Sequence, residues 1–173
     1  MKIIYPDGRE RLRRARYRYN EKVPNENGMF MPGTFCIRTS IMRDIGGFDE
    51  RIKFGEFTDI DFILQGKSVS RSFTNKCGIY YQQSVDGGSK NQQNKIEALT
   101  HFLKKHQQYF KRNKSVKRLF LQNLANLHIR VLDFKVARKY YAKAYITLPW
   151  KFITLLRYFA SCIPFVAKKI WKV

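Results

Sequence analysis

Acid is what this chain runs short of. Residues 101–173 carry 17 basic side chains and a single carboxylate, Asp133, whereas residues 1–100 carry 17 basic and 12 acidic ones. The formal net charge is +21. Such asymmetry points the second half at a polyanion, either nucleic acid or an anionic membrane face; a plain, well-solvated basic surface is the alternative. Cysteine is scarce too. Cys36, Cys77 and Cys162 are far apart, odd in number and without C-x-x-C spacing, which excludes a disulfide framework and leaves buried or incidental thiols. His101, His106 and His128 have no cysteine nearby, and the first two lie five apart, a poor fit to one helix face, so no zinc site is expected. Long apolar runs are missing. The longest, YFASCIPFVA at 158–167, is about half of the ~20 residues that a spanning helix needs. The opening MKIIYPDGRER is polar with no apolar run behind it, so no signal peptide is expected.

What is present is 44% hydrophobic and 15% aromatic, enough to build a core, and the length favours one domain with at most a small appendage. Ile3 to Tyr5 is a strand candidate, followed by the turn Pro6-Asp7-Gly8. RERLRRARYRYNEK then interleaves Arg with Tyr. It is either a nucleic-acid-binding segment or the exposed face of an element that turns Leu12, Ala15 and Tyr19 inward. PNENG at 24–28 is a loop, and MFMPGTFCIR is extended with a bend at Pro32-Gly33. SIMRDI is a short helix with Thr39 or Ser40 as N-cap and Gly46 as terminator. DIDFILQG, from Asp59, is helical with a narrow apolar stripe of Ile60, Ile63 and Leu64.

KCGIYYQQ is a strand candidate, and SVDGGSKNQQNK after it is a polar loop, either a mobile lid or an ordinary surface loop. From Lys95 the pattern is helical. The segments SVKRLFLQNLANLHIRVL and FKVARKYYAKAYITLP make a helical hairpin that cannot bury its own face alone. In the tail from 149, Phe152, Leu155, Leu156, Phe159, Ile163, Val166 and Ile170 form one stripe, kinked at Pro164. Trp150 and Trp171 stand near its ends, among basic residues with no acid. Such a tail suits an in-plane helix on an anionic bilayer or a core-packed terminal helix.

The acids that do exist gather in FCIRTSIMRDIGGFDERIKFGEFTDIDFILQ at 35–65, beside a Gly-Gly turn. They admit two explanations. Asp59 near a helix N-terminus is favoured by the exposed N–H groups and the helix dipole. Asp59 and Asp61 lie about 200° apart on an ideal helix, so they do not form a carboxylate pair on one face. The other explanation is an active site. This stretch resembles the acceptor-side half of family 2 glycosyltransferases. The matching features are the extended segment ending in Arg38, the short helix, the turn Gly46-Gly47-Phe48-Asp49-Glu50 and the spaced acids Asp59-Ile60-Asp61-Phe62. Gly87-Gly88-Ser89 with Lys95-Ile96-Glu97, and the tail ARKYYAKAYITLP, add to a similarity over roughly residues 30–150. Two positions depart from the pattern. Thr58 stands where a glutamate is expected, with Glu56 three residues before Asp59, and Met31-Pro32 is apolar.

The resemblance implies an α/β fold, the C-terminal part of a GT-A (Rossmann-like) domain, followed by a helical hairpin and a basic amphipathic tail helix. The divisions would be 1–94 (acceptor side), 95–148 (helical extension) and 149–173 (membrane-surface tail). It implies inverting sugar transfer from a nucleotide-sugar donor to a cell-surface glycan or lipid-linked acceptor. The catalytic residues would be Asp59, as base, and Asp61, which would support the helix or hold the sugar. Gly47, Phe48, Asp49 and Glu56 would bind substrate. A divalent metal, Mg or Mn, would serve the complete enzyme through ligands outside this chain. The nucleotide-binding half would be absent here or supplied as a separate chain, leaving this one inactive alone. The location implied is cytoplasmic, peripheral on the inner face of the cell membrane. The competing expectation is a small basic nucleic-acid-binding protein, which explains the charge but leaves the acid cluster idle.

Overall fold

The computed structural model describes residues 2–12, 35–67, 69–70, 79–82 and 91–171. The Arg/Tyr segment beyond Leu12, the PNENG loop, Met31, the Pro32-Gly33 bend, Cys77 and the Gly87-Gly88-Ser89 loop lie outside the described residues. The chain divides into two compact units, one of residues 1–51 with 55–90, the other of residues 52–54 with 91–173.

In the first unit, β1 (Lys2–Ile4) and β2 (Glu10–Leu12) form an antiparallel hairpin with Ile3 opposite Arg11. The turn needs Gly8, whose φ is 79°, and Asp7 fixes it by accepting from the Arg9 backbone N–H at 3.0 Å. β3 (Tyr80–Gln82) joins the other edge of β1 in parallel, giving the order β2-β1-β3. Two helices complete the described part of this unit, α1 (Thr39–Asp44) and α2 (Glu56–Gly66).

From Gln92 the second unit is a series of helices: α3 (Gln92–Lys105), α4 (Gln107–Arg112), α5 (Lys114–Arg130), α6 (Phe134–Thr147), α7 (Phe152–Cys162) and α8 (Pro164–Trp171). Asn91 caps α3 by accepting from the Asn94 N–H, and Asp133 caps α6 by accepting from the Val136 N–H. α5 and α6 pack along their lengths as a hairpin. Its core is Ala125, Ile129, Ala137 and Tyr141, with Ala167 of α8 against it. Three of these five are alanines, which let helix axes approach closely. A second cluster of Ile96, Leu124 and Leu127 joins α3 to α5. Burial pushes the Tyr141 phenol well above its usual range; Arg157 and the Trp171 N–H oppose the shift.

The α/β, GT-A-type expectation is overturned. About two thirds of the described residues are helical, and the described sheet has three strands of three residues each. Strands that short, with one parallel pair, cannot carry the doubly wound parallel sheet of a nucleotide-binding fold. The tail also differs from a single kinked helix. Pro164 does not interrupt a helix but opens one, at the first helical position where its missing N–H costs nothing. Trp171 is not an exposed end. Its indole N–H donates to Asn126 at 2.7 Å and its ring packs on the α5–α6 core. Cys36 and Cys162 are exposed free thiols, which leaves the incidental of the two readings.

Candidate functional site

The acid cluster falls in the first unit, on the turn after α1 and on α2. α1 ends as its sequence requires. The Gly47 N–H bonds the Met42 carbonyl at 2.9 Å and the Gly46 N–H bonds the Arg43 carbonyl at 3.0 Å. That is the paired bonding of a Schellman stop. Both glycines are left-handed, at φ 81° and 73°. A Cβ at either would meet nothing within 4 Å, so backbone conformation, not crowding, demands glycine, and the space beside Gly47 is open. The N-cap of α1 is Arg38, with no side-chain cap bond, rather than Thr39 or Ser40.

The turn then presents Phe48 and Asp49. Phe48 is 46% exposed, and its ring meets Phe57 edge-on at 5.3 Å, as Phe35 does at 5.1 Å. The Asp49 side chain is nearly buried and clamps Arg51: Nε donates to Oδ1 at 2.8 Å and the second guanidinium nitrogen to Oδ2 at 2.9 Å. The Arg51 backbone N–H also donates to Oδ1, at 3.2 Å. Asp49 raises the Arg51 pKa through hydrogen bonding and charge, and Asp59 adds to the rise. Arg51 is thus held by Asp49 and also feels the Asp59 charge.

α2 begins three residues earlier than the apolar pattern suggests. Left-handed Gly55, at φ 73°, serves as N-cap, and its carbonyl accepts from the Thr58 N–H at 2.8 Å. Glu56 is thus the first helical residue and half-buried, where a carboxylate meets the unsatisfied N–H groups. Asp59 lies at the end of the first turn and is 1% exposed; Asp61 is 4% exposed and accepts from the Gln65 side chain at 2.8 Å. The two catalytic candidates are both buried, although they sit on different sides of the helix, because α2 is buried nearly all round from Asp59 to Phe62. Sequence reasoning missed Arg51. The signal was the Asp-x-Arg spacing, which lets one aspartate close a turn and grip the guanidinium it has just turned.

The second unit holds a groove of about 500 Å³ lined by Thr100, Leu103, Lys104, Lys117, Tyr140 and Lys143, among others. No acid lines it. Its lysines come from three helices, α3, α5 and α6, so no local sequence pattern announces the cluster. Among the described residues no group of three or more His, Cys, Asp or Glu side chains could hold a metal ion. No helix among them is long and apolar enough to cross a membrane. Comparison with protein-family models, curated proteins and solved structures gives no match.

Proposed function

We propose that the chain is the acceptor-side portion of an inverting glycosyltransferase, with Asp59 as its base. The observation that supports this best is the turn that holds the half-exposed ring of Phe48 next to Asp49 clamped on Arg51, followed by α2 with Asp59 in its first turn. Sugars ask for that combination: an aromatic surface for the apolar face of the ring and fixed carboxylates for its hydroxyls. Asp59 takes the proton of an acceptor hydroxyl as that oxygen bonds to the anomeric carbon and the nucleoside diphosphate departs. Asp61, tied to Gln65, steadies α2. Asp49 holds the turn, and Glu56 and the open side of Gly47 complete the acceptor site. The described residues do not fit a divalent metal, and no step here runs through one.

The assignment is tested by binding. Saturation-transfer NMR on the full chain, with millimolar methyl glycosides of glucose, galactose, N-acetylglucosamine and rhamnose, should show at least one binder. Phe48→Ala, at an exposed position, should cut that signal at least fivefold with the fold intact. Asp59→Asn, isosteric, should change the saturation received by one ring C–H proton relative to the others rather than abolish binding. Silence of the wild-type chain toward the whole panel would overturn the assignment. The polyanion-binding alternative has one observation in its favour, the acid-free lysine groove around Tyr140. It requires steeply salt-dependent association with nucleic acid.

A further inference from the structure

The end of the chain is folded inside out. On a soluble helix the polar residues face water. On α7 the residues wholly out of reach of water include Thr154 and Ser161, seven apart on one face, both 0% exposed. Thr154 accepts from the Gln122 side chain at 2.7 Å, and the Ser161 hydroxyl donates to the Tyr158 carbonyl at 2.6 Å. The opposite face carries Phe152, Leu156 and Phe159, with Ile163 just past the helix end, spaced four, three and four; Phe165 and Ile170 are exposed on α8, on different sides of that helix. These six side chains are 54% to 77% exposed.

The face is a fixed ledge, not a frayed end. α7 packs on α6, α8 packs on α5, and Trp171 is bonded to Asn126 at the far end. Water is a poor occupant for a contiguous apolar surface of this kind.

We propose that this ledge seats the chain in the plane of an anionic lipid bilayer. Charge decides the occupant. Lys151, Arg157, Lys168 and Lys169 accompany the apolar face, and no acid lies between Asp133 and the C-terminus. Anionic headgroups complement that pattern, with apolar side chains entering the acyl boundary and lysines staying at the phosphates. A second copy of this chain would bring its own +21 against the same lysines. Spanning is excluded by geometry: α7 has 11 residues, about 16 Å of helix against a hydrocarbon core of about 30 Å. The chain direction then changes at Ile163, which is extended at φ −110° and ψ 102°. Docking of this kind is independent of the sugar-transfer assignment and stands or falls separately.

The test is co-sedimentation of the full chain with sucrose-loaded vesicles of phosphatidylcholine, with and without 30% phosphatidylglycerol, at about 0.1 and 0.5 M NaCl. The wild type should pellet with the anionic vesicles, and a substantial fraction should stay bound at high salt because apolar insertion is not screened. Leu156→Glu/Phe159→Glu changes only exposed positions. It should keep the wild-type circular dichroism and melting temperature and lose at least tenfold in partition coefficient. Lys168→Gln/Lys169→Gln should lose mainly the preference for phosphatidylglycerol. Three results would each overturn the proposal. One is vesicle binding by the Glu variant equal to wild type. Another is duplex DNA binding without vesicle binding. The third is a self-associated wild type that the Glu variant renders monomeric while neither binds vesicles.

Discussion

Asp133 is the one acid the second half keeps, and its neighbours explain why. Its Oδ1 accepts from the Val136 N–H at 3.1 Å, capping α6 directly after left-handed Leu132 reverses the chain. Its other oxygen lies 3.5 Å from His128 Nδ1 on α5. A cap of this kind contributes about 1 kcal/mol, with a range of 0.5–2. Asp133→Ala should therefore lower the denaturation free energy by about 1 kcal/mol. Asp133→Asn, which keeps the accepting oxygen, should restore most of it. Urea unfolding followed by circular dichroism reads both, and equal losses for Ala and Asn would mean that charge toward His128, not capping, is what Asp133 supplies. The same distinction governs the Gly-Gly turn. Its glycines were legible as a helix stop because a left-handed C′ residue is a local demand. The clamp of Asp49 on Arg51 and the burial of Asp59 were not, because both depend on where α2 settles.

Elements were legible wherever period and length agreed. α5 and α6 show a sustained apolar series, and the turn between them carries its own capping residue. Starts were less legible where the capping device lies outside the apolar pattern. α3 begins three residues before Lys95 because the Asn91 side chain can accept from Asn94. α2 begins before Asp59 because Gly55 can be left-handed. The sheet was least legible, since a three-residue parallel pair between β1 and β3 joins segments more than 70 residues apart. On α7 the periodic stripe is real and faces outward, because its polar partners Thr154 and Ser161 take the inner face. Thr154 is the reason. Its hydroxyl accepts from Gln122 at 2.7 Å and lies 3.4 Å from the Arg118 guanidinium, tying α7 to α5. Thr154→Val keeps the shape and strips the acceptor from a Gln122 that is 3% exposed. The cost should be about 1–3 kcal/mol, and Thr154→Ser should cost less. The denaturant midpoint should shift at unchanged slope. A Val variant as stable as wild type would show that the α5–α7 contact is held by packing alone.

The whole molecule is dominated by like charge. Lys95 registers it locally: burial chiefly, and the Arg130 guanidinium after it, hold its pKa below the ordinary lysine value. Seventeen cations against one acid over residues 101–173 repeat that repulsion on a larger scale. Net charge far from zero weakens a compact state through self-repulsion. Raising NaCl from 0.01 to 0.5 M shortens the Debye length from about 30 Å to well below 10 Å. Screening should then stabilise the helical unit by about 1 kcal/mol, a rise in melting temperature of roughly 4–8 °C for a unit of this size. The identity of the anion separates general screening from a built polyanion site. If the lysines around Tyr140 act only as part of the field, sodium phosphate and NaCl at equal ionic strength should give the same melting curve. If Lys104, Lys117 and Lys143 converge on one ligand, submillimolar tripolyphosphate should raise the melting temperature where NaCl of the same ionic strength does not. Lys117→Gln should then erase that excess. A melting temperature indifferent to both salts would mean that the cations are spaced widely enough to ignore one another. The +21 would then serve a partner's charge without weakening the fold that carries it.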